Sequence, residues 1–321
     1  MKGIAVAGSI LIDRINDIEK YPEAGELTKI LAIKSATGGC VPNVAIDLKR
    51  LMPELDVLAI GKVGKDADGI LAKDILSAEG VDVSGITEGD ERTSFTEVMS
   101  EVGGQRTFFT YPGASDDFGY SDIDFESLDC KMLHLGYYLL LKKVDGGDGE
   151  LILKEAKRRG ITTSIDLVSE NSDRYSVIIP SLKYTDNLII NELEAGKLTG
   201  IDPSDDNLEA IAKRLMELGV RERVIIHKKE LGILLSERGL TVIGSYELPG
   251  GFIKGTTGAG DAFCAGALLG IYENKSDREI LELATLSALG ALSAPDAVSG
   301  MSTVEELQKL TKGLGRKEIC L

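Results

Sequence analysis

Short runs of apolar, β-branched residues alternate along the chain with longer stretches whose apolar positions recur every three or four residues. The short runs at 3–8, 56–60, 131–135, 161–166, 187–190 and 223–227 predict buried strands. Helical periodicity covers 43–52, 67–79, 149–159, 192–199, 205–218, 259–272, 277–292 and 303–311. Such alternation predicts an α/β protein: a mostly parallel sheet with helices on both faces. Sheets of this kind gather ligands at the carboxyl ends of their strands. Two segments break the rhythm. Residues 9–34 read as loop and strand, and 93–111 as a hairpin whose arms flank Gly103-Gly104. Far apart in sequence, they are expected to pair as one small sheet projecting from the main body. A meander over 233–236 and 240–248, turning at Glu237-Arg238-Gly239, is expected to extend the main sheet with antiparallel strands. No internal repeat or low-complexity linker divides the chain, so 1–321 reads as one domain.

Charge narrows the class. With 36 Lys and Arg against 52 Asp and Glu, the formal net charge is −16. Sequence-independent nucleic-acid binding needs a cationic surplus to displace counterions, and an anionic membrane surface attracts the same surplus, so both are disfavoured. At 43% hydrophobic residues the chain can bury a large core. The four cysteines (Cys40, Cys130, Cys264, Cys320) are scattered, and only two histidines accompany them. That pattern argues against a structural zinc site and for reduced thiols in a cytoplasmic protein. The apolar start runs into Asp13-Arg14 and reads as a buried first strand rather than a signal peptide. The charge-free stretch 283–295 is too short to span a bilayer.

The richest stretch is Gly255-Thr256-Thr257-Gly258-Ala259-Gly260-Asp261-Ala262-Phe263. A bare backbone feeding a helix N-terminus presents unpaired N–H groups and the positive end of a dipole, which suits a phosphoryl group. Asp261, in the first turn, is placed to take a proton from an attacking hydroxyl. The same residues also fit a helix start stabilised by an acidic side chain and packed through glycine. Gly38-Gly39-Cys40-Val41-Pro42-Asn43 precedes an apolar helix. Gly-Gly admits a ligand to the backbone and Asn43 offers donor and acceptor to a polyol, although a tight turn with Asn43 as N-cap accounts for it equally. In Asn191-Glu192-Leu193-Glu194, positions 191 and 194 share a helix face at a strand's carboxyl end. That pair can order waters around Mg²⁺, or form a capping box.

Gly38-Gly39-x-x-x-Asn43, Asn191-x-x-Glu194 and Thr256-Thr257-Gly258-Ala259-Gly260-Asp261 stand in the order and spacing of the ribokinase-like (PfkB) carbohydrate kinases. The resemblance extends over nearly the whole chain, through 61–69, 80–83, 107–112 and Gly300-Met301. It implies a three-layer α/β/α ribokinase-like fold with a mostly parallel central sheet and a small β lid from about 9–34 and 93–111. It implies transfer of the γ-phosphate of ATP, with Mg²⁺, to a hydroxyl of a small sugar. By resemblance, Asp261 is the general base and Gly258, Ala259 and Gly260 form the anion hole. Asn191 and Glu194 organise Mg²⁺ through water. Asp13, Gly38, Gly39 and Asn43 bind the sugar, and Thr256, Gly232 and Lys229 border the nucleotide. The lid closes over the substrate, and its edges suggest a homodimer.

Two positions depart from that pattern. Gly255 stands where the family usually has an aspartate that helps hold a monovalent cation, which puts K⁺ activation in doubt. His227 and Lys229 stand where relatives carry Thr and Gly. Lys228-Lys229 read as solvated turn residues, and His227 and His134 as structural hydrogen-bond partners. Cys40 lies inside the Gly38–Asn43 motif and Cys264 just beyond Asp261, with nothing nearby suggesting thiol chemistry. The rival readings are a nucleoside kinase of the same fold, with Phe95, Phe109 or Tyr111 stacking on a base, and a non-catalytic sugar or nucleotide sensor. A nucleotide-dependent oxidoreductase fails at the first βα turn, where 6–10 provides one glycine.

Overall fold

The computed structural model describes residues 2–101, 106–170 and 172–319; the expected Gly103-Gly104 turn and Cys320 lie outside them. Thirteen strands are described: β1 Ile4–Ala7, β2 Leu11–Ile18, β3 Ile30–Gly38, β4 Val57–Gly64, β5 Asp82–Gly89, β6 Ser94–Glu101, β7 Arg106–Tyr111, β8 Met132–Tyr138, β9 Thr162–Leu167, β10 Asn187–Asn191, β11 Arg223–His227, β12 Leu231–Ser236 and β13 Gly239–Gly244. Nine form one sheet in the order β13-β12-β11-β10-β9-β8-β1-β4-β5. Its pairings are parallel except at the β11–β12 and β12–β13 edge, where the expected meander lies. The central strands carry almost unbroken apolar runs, such as Leu188, Ile189 and Ile190, because both faces are covered. One face packs against helices Cys40–Leu51, Ala259–Tyr272 and Asp277–Leu292, the other against Gly149–Arg158, Glu192–Thr199 and Leu208–Glu217.

The segments that broke the rhythm pair in a second sheet of order β3-β2-β6-β7. β2 runs antiparallel to β3 and parallel to β6, in register from Leu11 opposite Ser94 to Ile18 opposite Glu101. Arg14 ties the sheet to the main body, pairing with Glu97 and Asp68 while its guanidinium lies 4.4 Å over the Phe95 ring. The outer strands leave Ile33 and Phe108 more than 60% exposed.

Three expectations need correction. The first major helix begins at Cys40 rather than 43, because Gly39 adopts φ 88° and turns the chain directly into it. Asn43 is therefore inside the helix and not its N-cap. Strand β5 was absent from the sequence reading, since DVSGITEG lies half-exposed at the sheet edge and carries two acids and two glycines. β13 ends at Gly244, short of 248.

Candidate active site

Helix Ala259–Tyr272 begins where Gly258 takes φ 79°, the left-handed region. A Cβ at Gly258 would lie 2.6 Å from Ala297 Cα, so only glycine lets these two backbones meet. The Ala259 amide donates to the Thr256 carbonyl at 3.3 Å, while Gly258, Gly260 and Asp261 line a crevice together with residues at the carboxyl ends of β9, β10 and β11. Asp261 is 6% exposed. Its Oδ2 accepts hydrogen bonds from Asn43 Nδ2 at 2.8 Å and from the Tyr137 hydroxyl at 3.0 Å. Burial, reinforced by Asp166, pushes the Asp261 carboxyl up to about 7, against the pull of those two bonds. A carboxyl poised near neutrality is matched to proton transfer.

A crevice of about 200 Å³ brings Asp261, Gly258 and Gly260 together with Asn191, Glu194, Asp166, Tyr137 and His227. Asn191 and Glu194 form a reciprocal capping box: Asn191 Oδ1 accepts from the Glu194 amide at 2.9 Å, and Glu194 Oε2 from the Asn191 amide at 3.1 Å. Ser169 Oγ donates to Glu194 Oε1 at 2.8 Å and accepts from Asn191 Nδ2 at 2.8 Å. Burial pushes Glu194 up to about 7. Each Glu194 oxygen thus already accepts one bond and keeps a second lone pair, a donor set suited to metal-bound water more than to direct ligation.

Of the expected sugar-binding residues, Asp13 and Gly38 are in contact, and Gly39 lies against Ser9. The Asp13 carboxylate on β2 lies against Gly38, where a Cβ would sit 2.5 Å from Asp13 Oδ2. Burial pushes Asp13 up to about 6. Asn43, 5% exposed, reaches from the first turn of helix Cys40–Leu51 to the base candidate.

The residues expected near a nucleotide are more dispersed. Thr256 and Lys229 are exposed. Gly232 lies within β12, and a Cβ there would touch Phe263 and Leu281 at 3.3 and 3.4 Å, so its smallness serves packing. Lys228 is ion-paired with Asp205 at 2.6 Å. Contrary to the expected hydrogen-bonding role, the His227 ring makes no hydrogen bond among the described residues; it lies 4.7 Å from the Phe263 ring, and burial lowers its pKa to about 4, leaving it neutral beside Gly260. At Gly255 a Cβ would lie 2.9 Å from the Ala294 carbonyl oxygen and 2.8 Å from that of Pro295.

Tyr137 is the functional candidate that the sequence reading missed. It follows Gly136 at the end of β8 with φ 55°, and its amide donates to Asp166 Oδ1 at 2.5 Å. No motif marks it; only its position after His134-Leu135-Gly136 at a strand's carboxyl end gave a signal.

A three-layer α/β/α frame with a buried carboxylate at a glycine-lined helix start defines a class of phosphotransferase architecture. Residues 1–303 match the pattern of the pfkB family carbohydrate kinases, and the chain belongs to that family. It is 26% identical over 286 residues to a ribokinase of Arabidopsis thaliana, covering 88% of this chain and 73% of that one. The structure of Arabidopsis thaliana ribokinase complexed with ribose and ATP aligns with a TM-score of 0.80 at 23% identity, covering 97% of this chain and 99% of that one. A putative ribokinase II from E. coli in complex with ATP and Mg²⁺ aligns with a TM-score of 0.80 at 19% identity, covering 97% and 99%. No described helix is long and apolar enough to cross a membrane.

Proposed function

We propose that this carbohydrate kinase transfers the γ-phosphate of ATP to a hydroxyl of a small sugar, with Asp261 as general base. The observation that carries the reading is the Asp261 carboxylate at the glycine-lined helix start, with both donors on Oδ2. Oδ1 is thereby left to meet the substrate hydroxyl. Asp261 takes the proton as the hydroxyl oxygen attacks, and Asn43 and Tyr137 hold the carboxylate in place. The amides of Gly258, Ala259 and Gly260 stabilise the phosphoryl oxygens as charge spreads over them. Asp13, Gly38, Gly39 and Asn43 position the sugar. Thr256, Gly232 and Lys229 border the nucleotide, with Gly232 acting through the packing of β12.

Asn191, Glu194 and Ser169 would hold Mg²⁺ through its waters; the ion supplies neutralisation of phosphate charge. The monovalent cation is a different matter. A side chain at position 255 would meet the Ala294 and Pro295 carbonyl oxygens within 2.9 Å, and no carboxylate stands there, so we read the chain as independent of K⁺.

The second sheet serves as the lid that closes over the sugar and excludes water. Its exposed Ile33, Phe108 and Phe109 favour burial against a second copy, a homodimer. The buried, unpaired Cys40, Cys130 and Cys264 suit a reducing cytoplasm. Phe95 is stacked on Tyr111 at 5.4 Å, which favours a sugar over a nucleoside by engaging both rings within the lid. A panel of pentoses, hexoses and nucleosides with Mg-ATP, followed by ADP release, tests the reading. Turnover with at least one free sugar supports it; turnover with nucleosides alone replaces it with the nucleoside kinase.

A further inference from the structure

Beneath the catalytic crevice lies a cluster that the mechanism does not use in full. Cys40 opens helix Cys40–Leu51, His134 sits in the middle of β8, and Asp166 lies near the end of β9. One ligand atom from each lies within 4.8 Å of the others, and all three residues are buried. His134 Nε2 is 3.5 Å from Asp166 Oδ2 and 3.6 Å from the Sγ of Cys264 on helix Ala259–Tyr272. Tetrahedral coordination at the usual zinc–ligand lengths of about 2.0–2.3 Å sets neighbouring ligand atoms roughly 3.3–3.8 Å apart. The His134–Asp166 separation falls there. The other ring nitrogen, His134 Nδ1, is hydrogen-bonded to Ser164 Oγ at 3.0 Å, the second contact that orients metal-binding histidines. Room for the sulfur depends on position 136: a Cβ on Gly136 would lie 1.9 Å from Cys40 Sγ and 3.1 Å from Asp166 Oδ1.

We propose that Cys40, His134 and Asp166 form a binding site for a thiophilic divalent metal of the Zn²⁺ type, with the fourth position left to water from the crevice. Residues scattered from 40 to 166 make no sequence motif, which is why the chain reads as lacking a zinc site. Asp166 and Cys264 both line the 200 Å³ crevice, so an ion enters from the catalytic side. His134 ligates through the Nε2 lone pair of its neutral form, with the Nδ1 proton donated to Ser164. The Cys40 thiol binds as thiolate and releases one proton to solvent on metal binding. The site is coupled to catalysis on the reading given above. Asp166 holds the Tyr137 amide, and Tyr137 holds Asp261, so capture of Asp166 by metal acts on the base and slows turnover.

Titration of the full-length, reduced protein with Co²⁺ alone tests the site without reference to activity. One equivalent is expected to produce a thiolate-to-cobalt charge-transfer band, displaced by Zn²⁺. Cys40→Ala is expected to lose most of that band and at least tenfold in affinity. Ser164→Ala keeps the Cys40 sulfur and is expected to retain the band while binding roughly 10- to 100-fold more weakly. Circular dichroism establishes that each variant is folded; if Cys40→Ala is not, Cys40→Ser and Ser164→Ala carry the test. Absence of the band in the wild-type protein, or a band unchanged in folded Cys40→Ala or Cys40→Ser, overturns the proposal. Kinase activity without metal binding would refute the metal site alone, and metal binding without kinase activity would refute the enzymatic reading alone.

Discussion

Asn43 Nδ2 donates to Asp261 Oδ2 at 2.8 Å across a sequence separation of 218 residues. The two residues sit in the first turns of two helices packed on the same face of the sheet. One contact thus joins the motif that resembles a sugar site to the motif that resembles an anion hole. With the Tyr137 hydroxyl it occupies Oδ2, leaving Oδ1 as the oxygen that the proposed mechanism assigns to the substrate.

Acid–base behaviour follows from the buried carboxyls. With Asp261 near 7, kcat/KM is expected to rise with pH through about 7 as the base ionises. Stability runs the other way. Asp261, Glu194 and Asp13 all have raised values in the folded chain, so between about pH 4 and 7 the folded state holds protons that the unfolded chain has released. Their stabilising effect is complete below about pH 4 and is lost as pH climbs through 6 to 7. Thermal unfolding of the ligand-free protein across that range measures it, and Asp261→Asn should flatten the profile.

Removing one donor from the base tests its tuning. Tyr137→Phe deletes the bond to Oδ2, and a hydrogen bond to a charged group contributes about 1.5–3 kcal/mol. At 1.36 kcal/mol per unit, the acidic limb of kcat/KM is expected to move up by roughly one unit or more. Activity below pH 7 then falls about tenfold, with recovery at higher pH. A uniform loss at every pH would mean that Tyr137 acts otherwise.

Gly258→Ala addresses the anion hole. Left-handed backbone costs a residue with a Cβ about 1–2 kcal/mol, and the added carbon would meet Ala297 Cα at 2.6 Å. A lower Tm and a kcat reduced by more than tenfold are expected, with sugar binding largely kept. Calorimetry of sugar binding separates this from global unfolding.

Monovalent ions are expected to matter little. Replacing K⁺ by a bulky organic cation at constant ionic strength should change kcat by less than about twofold, since Gly255 offers no carboxylate to hold a cation. A tenfold activation by K⁺ would refute this reading of position 255.

Much of the frame was legible in sequence because buried parallel strands are uniformly apolar and their helices keep a clean period. Helices Ala259–Tyr272 and Asp277–Leu292 fall where their periodicity places them, and in the structure the second opens on a Ser276–Glu279 capping box. The pairing of β2 with β6 was suggested only by two segments that fitted nowhere else. What escaped depends on three-dimensional context. Asn43 looked like an N-cap because Gly39, a residue with no side chain to cap, had already turned the backbone. Tyr137 acts through a left-handed backbone at the end of β8, a conformation that no local pattern announces. The Asn191–Glu194 pair is a capping box and also lines the crevice, so both sequence readings describe the same atoms.

The central claim rests on one proton acceptor, and Asp261→Asn examines it most directly, since the amide keeps the shape and removes the basicity. The measurement is kcat for ADP release with the preferred sugar, beside the Kd of the same variant for that sugar and for ATP. The account predicts a fall in kcat of roughly 10²- to 10⁴-fold with both dissociation constants within a few-fold of wild type. A variant that binds normally and turns over at the wild-type rate would contradict it.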